Sequence, residues 1–216
     1  MSIALTAIIL RANQSTVVDV NPCNVLLLPG WQNSGPDHWQ SQWQTTHGYT
    51  RVEQHDWQRP LRGDWISRLE DVLLARRHPG QDLDLCDSDN PQDTTGTAVL
   101  VAHSLGCIHI AAWASISRNT HRVKAALLVA PPDVEREDMR QRLPSWSPVP
   151  LQRLPFPTVV MASSNDPFCD LPRAQAFAQA WGSDFVNVGP YGHLNAASGL
   201  GRWPDAHHQL QQLVDL

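Results

Sequence analysis

Short runs of apolar residues, separated by longer amphipathic stretches, constrain this chain more than any other feature. Residues 25–28 are apolar throughout and close on Pro29-Gly30, and 98–102, 125–130 and, after Thr158, 159–162 are runs of the same kind. A strand that is apolar at every position is buried on both faces, and such strands belong to parallel sheets covered by helices. Between them, Trp65, Ile66, Leu69, Val72 and Leu73 recur at the spacing of one helix face. Helices are also predicted from Pro36 to the stop at Gly48, and over 105–117, 171–181 and 204–214. Strands are predicted at 49–53 and 185–188. Pro144, Pro148, Pro150, Pro155 and Pro157 leave no room for a strand in 133–157. The polar stretch 78–97 reads as a surface loop. The predicted fold is α/β, with a mostly parallel sheet of about six strands and helices on both faces. It forms a single domain over 22–216, after an N-terminal extension at 1–21.

Bulk properties narrow the function. With 216 residues and 42% hydrophobic content, the chain can bury a full core without metal or disulfides. Cys23, Cys86, Cys107 and Cys169 include no C-x-x-C pair, which points to a reducing, cytoplasmic setting. His207 and His208 lack a ligand pattern around them, so they read as an exposed helix face and no metal is expected. A net charge of −5 without Lys/Arg clusters argues against a nucleic-acid partner. The run 133–142 mixes both signs and reads as a solvated helix or loop face. No apolar run approaches the ~18 residues of a membrane span. Residues 3–10 are apolar but lack the basic flank and cleavage site of a secretory leader.

The chemistry gathers where strands end. Ala102-His103-Ser104-Leu105-Gly106 lies between a buried strand and a helix. A serine hydroxyl is a weak nucleophile, and a tight strand-to-helix turn exposes it beside a base. Gly106 lets strand and helix approach closely, while Ala102 replaces the usual first glycine. Alone, this pentapeptide is common and reads more simply as a serine capping a helix. His103 reads as a structural or pocket-wall residue, because neighbours on such a turn point in different directions. Asp166 follows the fifth strand, where a carboxylate can orient and stabilise an imidazole; Asp170 is its rival. His193 follows the sixth strand, beside Gly192, which permits a sharp turn. Serine, acid and histidine in that order, each beyond its own strand, are far more specific together than singly. The oxyanion donors expected are the backbone N–H groups of Leu105 and Trp31. Trp31 and Trp57, with His103, are candidates for the wall of a substrate pocket. Most other tryptophans are assigned to the core.

These motifs resemble the retinoblastoma-binding-protein-type serine hydrolases and their bacterial relatives, a compact α/β-hydrolase branch. The carriers are Leu28-Pro29-Gly30-Trp31, Pro36-Asp37-His38-Trp39, Asp56-Trp57 with Pro60, and the segment from Val101 to Cys107. Ala162 to Phe168 and Gly192-His193-Leu194-Asn195 complete them. The resemblance implies Ser104, Asp166 and His193 as the triad, with no cofactor. It implies hydrolysis of small carboxylic esters or amides as small-molecule substrates. Retinoblastoma binding relies on L-x-C-x-E; here Asp84 stands where Leu is required and Ser88 where Glu is, so that partner is not expected. Two rivals remain: a binding module of the same fold that has lost turnover, and an acyltransferase using the same triad.

Overall fold

The computed structural model describes residues 25–75 and 97–216. The extension 1–21, Cys23, Cys86 and residues 78–96 of the expected loop lie outside the described residues. The elements run β1 (Val25–Leu28), α1 (Trp39–His47), β2 (Thr50–Arg51), α2 (Arg62–Ala75), β3 (Ala98–His103) and α3 (Leu105–Ala114). They continue with β4 (Val123–Val129), α4 (Glu137–Arg142), β5 (Thr158–Ala162), α5 (Leu171–Trp181), β6 (Asp184–Asn187) and α6 (Pro204–Val214). All neighbouring strands pair in parallel, in the order β2-β1-β3-β4-β5-β6. This is the parallel, helix-covered α/β sheet of six strands expected from the apolar runs.

Alternation along each strand divides the core into two layers. Leu26, Leu28, Leu100 and Ala102 face α2, α3 and α5, and meet Trp65, Ile108 and Phe177. Val25, Leu27, Val99 and Val101 face α1 and α6, and meet Trp39, Trp43 and Leu210. Buried indoles also tie distant segments together, because each ring hides while its N–H finds a carbonyl. Trp39 donates to Leu194 at 2.8 Å, Trp146 to Pro60 at 2.9 Å and Trp181 to Pro150 at 2.8 Å. No helix among the described residues is long and apolar enough to cross a membrane.

Four local expectations change. Only Thr50–Arg51 of 49–53 form a strand, since this is the sheet edge and Arg51 turns its guanidinium to Asn33, Ser34 and Ser41. Helix α1 starts at Trp39 rather than Pro36, because the His38 ring Nδ1 caps it by accepting from the Gln40 N–H. The irregular stretch 133–157 contains the six-residue α4 and packs firmly: Met139, Leu143 and Trp146 are buried. His207 does not sit on a plain exposed face. Its ring stacks on His47 at 4.0 Å, and its Nε2 is 2.8 Å from the Tyr49 hydroxyl.

His109, fully buried in α3, has its Nε2 2.8 Å from the Trp65 carbonyl and is pushed down to about 4 by burial. His38 is pushed down to about 3 by burial, then by Arg51 and His193. Unfolded, these imidazoles protonate near the ordinary 6.5, whereas the folded protein holds them neutral. The unfolded state therefore binds more protons below pH 6.5, and stability falls as pH drops from 6.5 towards 4. His109 alone is expected to contribute about 3 kcal/mol to that loss. Urea unfolding at pH 7.5 and 4.5 measures the gap, which should narrow in His109→Gln. An unchanged gap would contradict the assignment.

Candidate active site

The sheet reverses its winding between β1 and β3, since β2 lies on one side of β1 and β3 on the other. Ligands of parallel sheets collect at such a point, beyond the strand ends. Pro29-Gly30-Trp31 leave β1 there, and Ser104 leaves β3.

Ser104 has φ 54° and ψ −126°, in a region a side chain occupies only under strain. Its N–H donates to the Val129 carbonyl at 2.9 Å, and its carbonyl accepts from Cys107 N–H at 2.8 Å. These bonds hold the turn against that strain. Two glycines make space for it. A Cβ on Gly106 would lie 2.3 Å from the Leu28 carbonyl oxygen, and one on Gly30 would lie 2.6 Å from Ser104 Cβ.

His193 reaches the serine from the far edge of the sheet. Its Nε2 is 2.8 Å from Ser104 Oγ, and its Nδ1 is 2.8 Å from Asp166 Oδ2 and 3.0 Å from Oδ1. The Asp166 side chain is only 3% exposed, so its carboxylate faces the imidazole with little competition from water. Phe168 sets its ring against His193 at 4.6 Å. Asp170, the rival acid, instead caps α5 by accepting from Arg173 N–H at 2.8 Å.

The loop carrying His193 is pinned from three sides. Asn165 Oδ1 accepts from Gly192 N–H at 2.7 Å, and Ser163 Oγ accepts from Tyr191 N–H at 2.9 Å. His103 Nε2 lies 2.9 Å from the His193 carbonyl, and Trp39 donates to the next carbonyl, that of Leu194. Burial, with His38 and His193 beside it, holds His103 well below the usual imidazole range, so its ring is neutral and Nε2 carries the donated proton.

A pocket of about 340 Å³ opens beside Ser104. Trp31, His103, Phe168 and Leu105 line it, with Met139 and Arg142 from α4 and Leu143 just beyond. Among the described residues, the backbone N–H groups of Trp31 and Leu105 donate to no acceptor.

A family described as serine hydrolase matches this chain over residues 25–80 and 88–212. The chain belongs to that serine hydrolase family. A putative YdeN-like hydrolase from Pectobacterium atrosepticum is similar at 27% identity, with TM-score 0.69, covering 91% of this chain and 92% of that one. The ydeN gene product of B. subtilis shares the fold at 16% identity and TM-score 0.65, over 90% of this chain and all (100%) of its own. A thermophilic esterase from Thermogutta terrifontis does so at 17% identity and TM-score 0.58, over 90% and 91%. No curated protein matches the sequence.

Within this serine hydrolase the expected residues divide clearly. Ser104, Asp166 and His193 meet in one chain of contacts, and Trp31 and His103 line the pocket beside them. Trp57 is not among the residues that line this pocket: its ring lies edge-on to Trp65 at 5.4 Å, and its carbonyl accepts from the Gln32 N–H at 3.0 Å. The apolar face of α2 draws its ring towards the core. Arg142 and Met139 carry no signal in the sequence, because a six-residue helix is too short to display a period. His38 is visible there only within its motif. It also lines the pocket, and its Nε2 is buried with no partner among the described residues.

Proposed function

We propose that this serine hydrolase cleaves small carboxylic esters through an acyl-enzyme, with residues 22–216 acting as one catalytic domain. The observation that carries this reading is the unbroken contact from Asp166 through His193 to Ser104, at 2.8 Å on each side of the imidazole. His193 takes the Ser104 proton as Oγ attacks the substrate carbonyl, and Asp166 stabilises the resulting imidazolium. The N–H groups of Trp31 and Leu105 receive the oxyanion, the second at the start of α3, where the helix dipole favours negative charge. Collapse breaks the ester bond, and imidazolium passes its proton to the departing alkoxide. Water, deprotonated by His193, then attacks the acyl-enzyme. The acid leaves, and the proton returns to Ser104.

A fluorophosphonate tests this directly, because it phosphonylates only an activated hydroxyl. One adduct per chain is expected, on the peptide holding Ser104. Equal labelling of wild type and Ser104→Ala would overturn the assignment.

A further inference from the structure

Arg142 ends α4 and lies at the pocket, with its guanidinium 4.9 Å above the Trp31 ring. Trp31 is itself fixed, donating from Nε1 to the Gln58 carbonyl at 3.0 Å. Among the described residues the Arg142 guanidinium forms no ion pair or hydrogen bond, unlike those of Arg136 and Arg173 nearby, which are held by Asp138 and by Asp133 with Glu135. Among the described residues Arg142 is the one permanently charged side chain that lines the pocket, and no carboxylate among them lines it. Asp166 stands behind His193, its charge already engaged. A chain of net charge −5 thus presents an isolated cation beside its reactive serine.

From this arrangement we infer that Arg142 selects esters bearing an anionic group, a carboxylate above all. The inference rests on the ester-hydrolase reading and specifies its substrate class. The guanidinium offers a flat fork of donors suited to a carboxylate, and stacking on Trp31 holds that fork in place. Met139 and Leu143 add apolar surface to the same pocket. Because Arg142 is exposed, water and salt screen the attraction, and the expected preference is roughly tenfold rather than absolute.

The test compares kcat/KM for matched esters. One pair is the mono-4-nitrophenyl ester of glutaric acid and 4-nitrophenyl pentanoate, with the charge on the acyl side. The other is the butyrate ester of 4-hydroxybenzoate and that of 4-hydroxybenzamide, with the charge on the alcohol side. Wild type should favour the anionic member of at least one pair roughly tenfold, less so in 0.5 M salt. Arg142→Ala should abolish the preference, Arg142→Lys should keep part of it and Arg142→Glu should reverse it. In each variant kcat/KM should fall less for a neutral ester than for its anionic partner. Equal rates on charged and neutral members in wild type, or an equal loss on both in Arg142→Ala, would overturn the inference while leaving the ester reading intact. Failure of wild type to hydrolyse any of the four would defeat the ester reading itself.

Discussion

Ser104→Ala is expected to lower kcat for a small aryl ester roughly 10⁴- to 10⁶-fold. The loss is large because three groups act as one unit: without Oγ, the imidazole has no hydroxyl to deprotonate and Asp166 no imidazolium to stabilise. The residual rate comes from the oxyanion donors and from binding. KM should change little, since the pocket wall and Arg142 are untouched. The same position offers an internal control through its backbone. Alanine keeps the Cβ, so it inherits the strain at φ 54°, whereas glycine accepts that conformation freely. Ser104→Gly should therefore be inactive but more stable than Ser104→Ala, by about 1–3 kcal/mol. Thermal unfolding of the two variants and a steady-state ester assay measure both effects. A serine variant retaining a tenth of the wild-type rate would remove Ser104 from the chemistry.

Gly106→Ala is expected to produce the largest loss of stability from one added methyl group. Its Cβ would meet the Leu28 carbonyl oxygen at 2.3 Å and the Pro29 oxygen at 3.1 Å. Both obstacles are backbone at the end of a central strand, so neither can rotate aside as a side chain would. Relief requires α3 to move off β1, opening the layer where Leu28, Leu105 and Ile108 pack. Overpacking of this kind costs about 3 kcal/mol or more, equivalent to roughly 6–12 °C in Tm for a domain of this length. Activity should fall with it, because Ser104 sits two residues before the clash. Calorimetry measures the shift. A Tm within about 2 °C of wild type, worth roughly 1 kcal/mol or less at this size, would show the approach of α3 to β1 to be looser than described.

Much of this was legible in the sequence, for a reason particular residues make clear. β3, β4 and β5 are central, and burial on both faces requires continuous apolar runs, so these strands announce themselves. Ser104 and Asp166 could be found because each follows such a run, and His193 by its place after them beyond the edge strand β6; the parallel arrangement delivers all strand ends to one rim. The edge strand at Thr50–Arg51 carries no such run, so its limits are not written in local hydropathy. Trp57 illustrates the opposite problem, since indole chemistry suits a pocket and a core alike. Only the position of Trp65 decides between them. The roles of Arg142 and Met139 depend on where a short helix lands beside the serine, which local periodicity does not encode.

One side of the cavity comes from a stretch of chain that supplies none of the bonds fixing the histidine. Trp39 and His103 fasten the carbonyls of Leu194 and His193, whereas Met139, Arg142 and Leu143 supply one side of the cavity. Exchanges in that stretch, where Arg142 is exposed while Met139 and Leu143 are buried, then alter what the cavity admits and leave the fastening of the histidine in place.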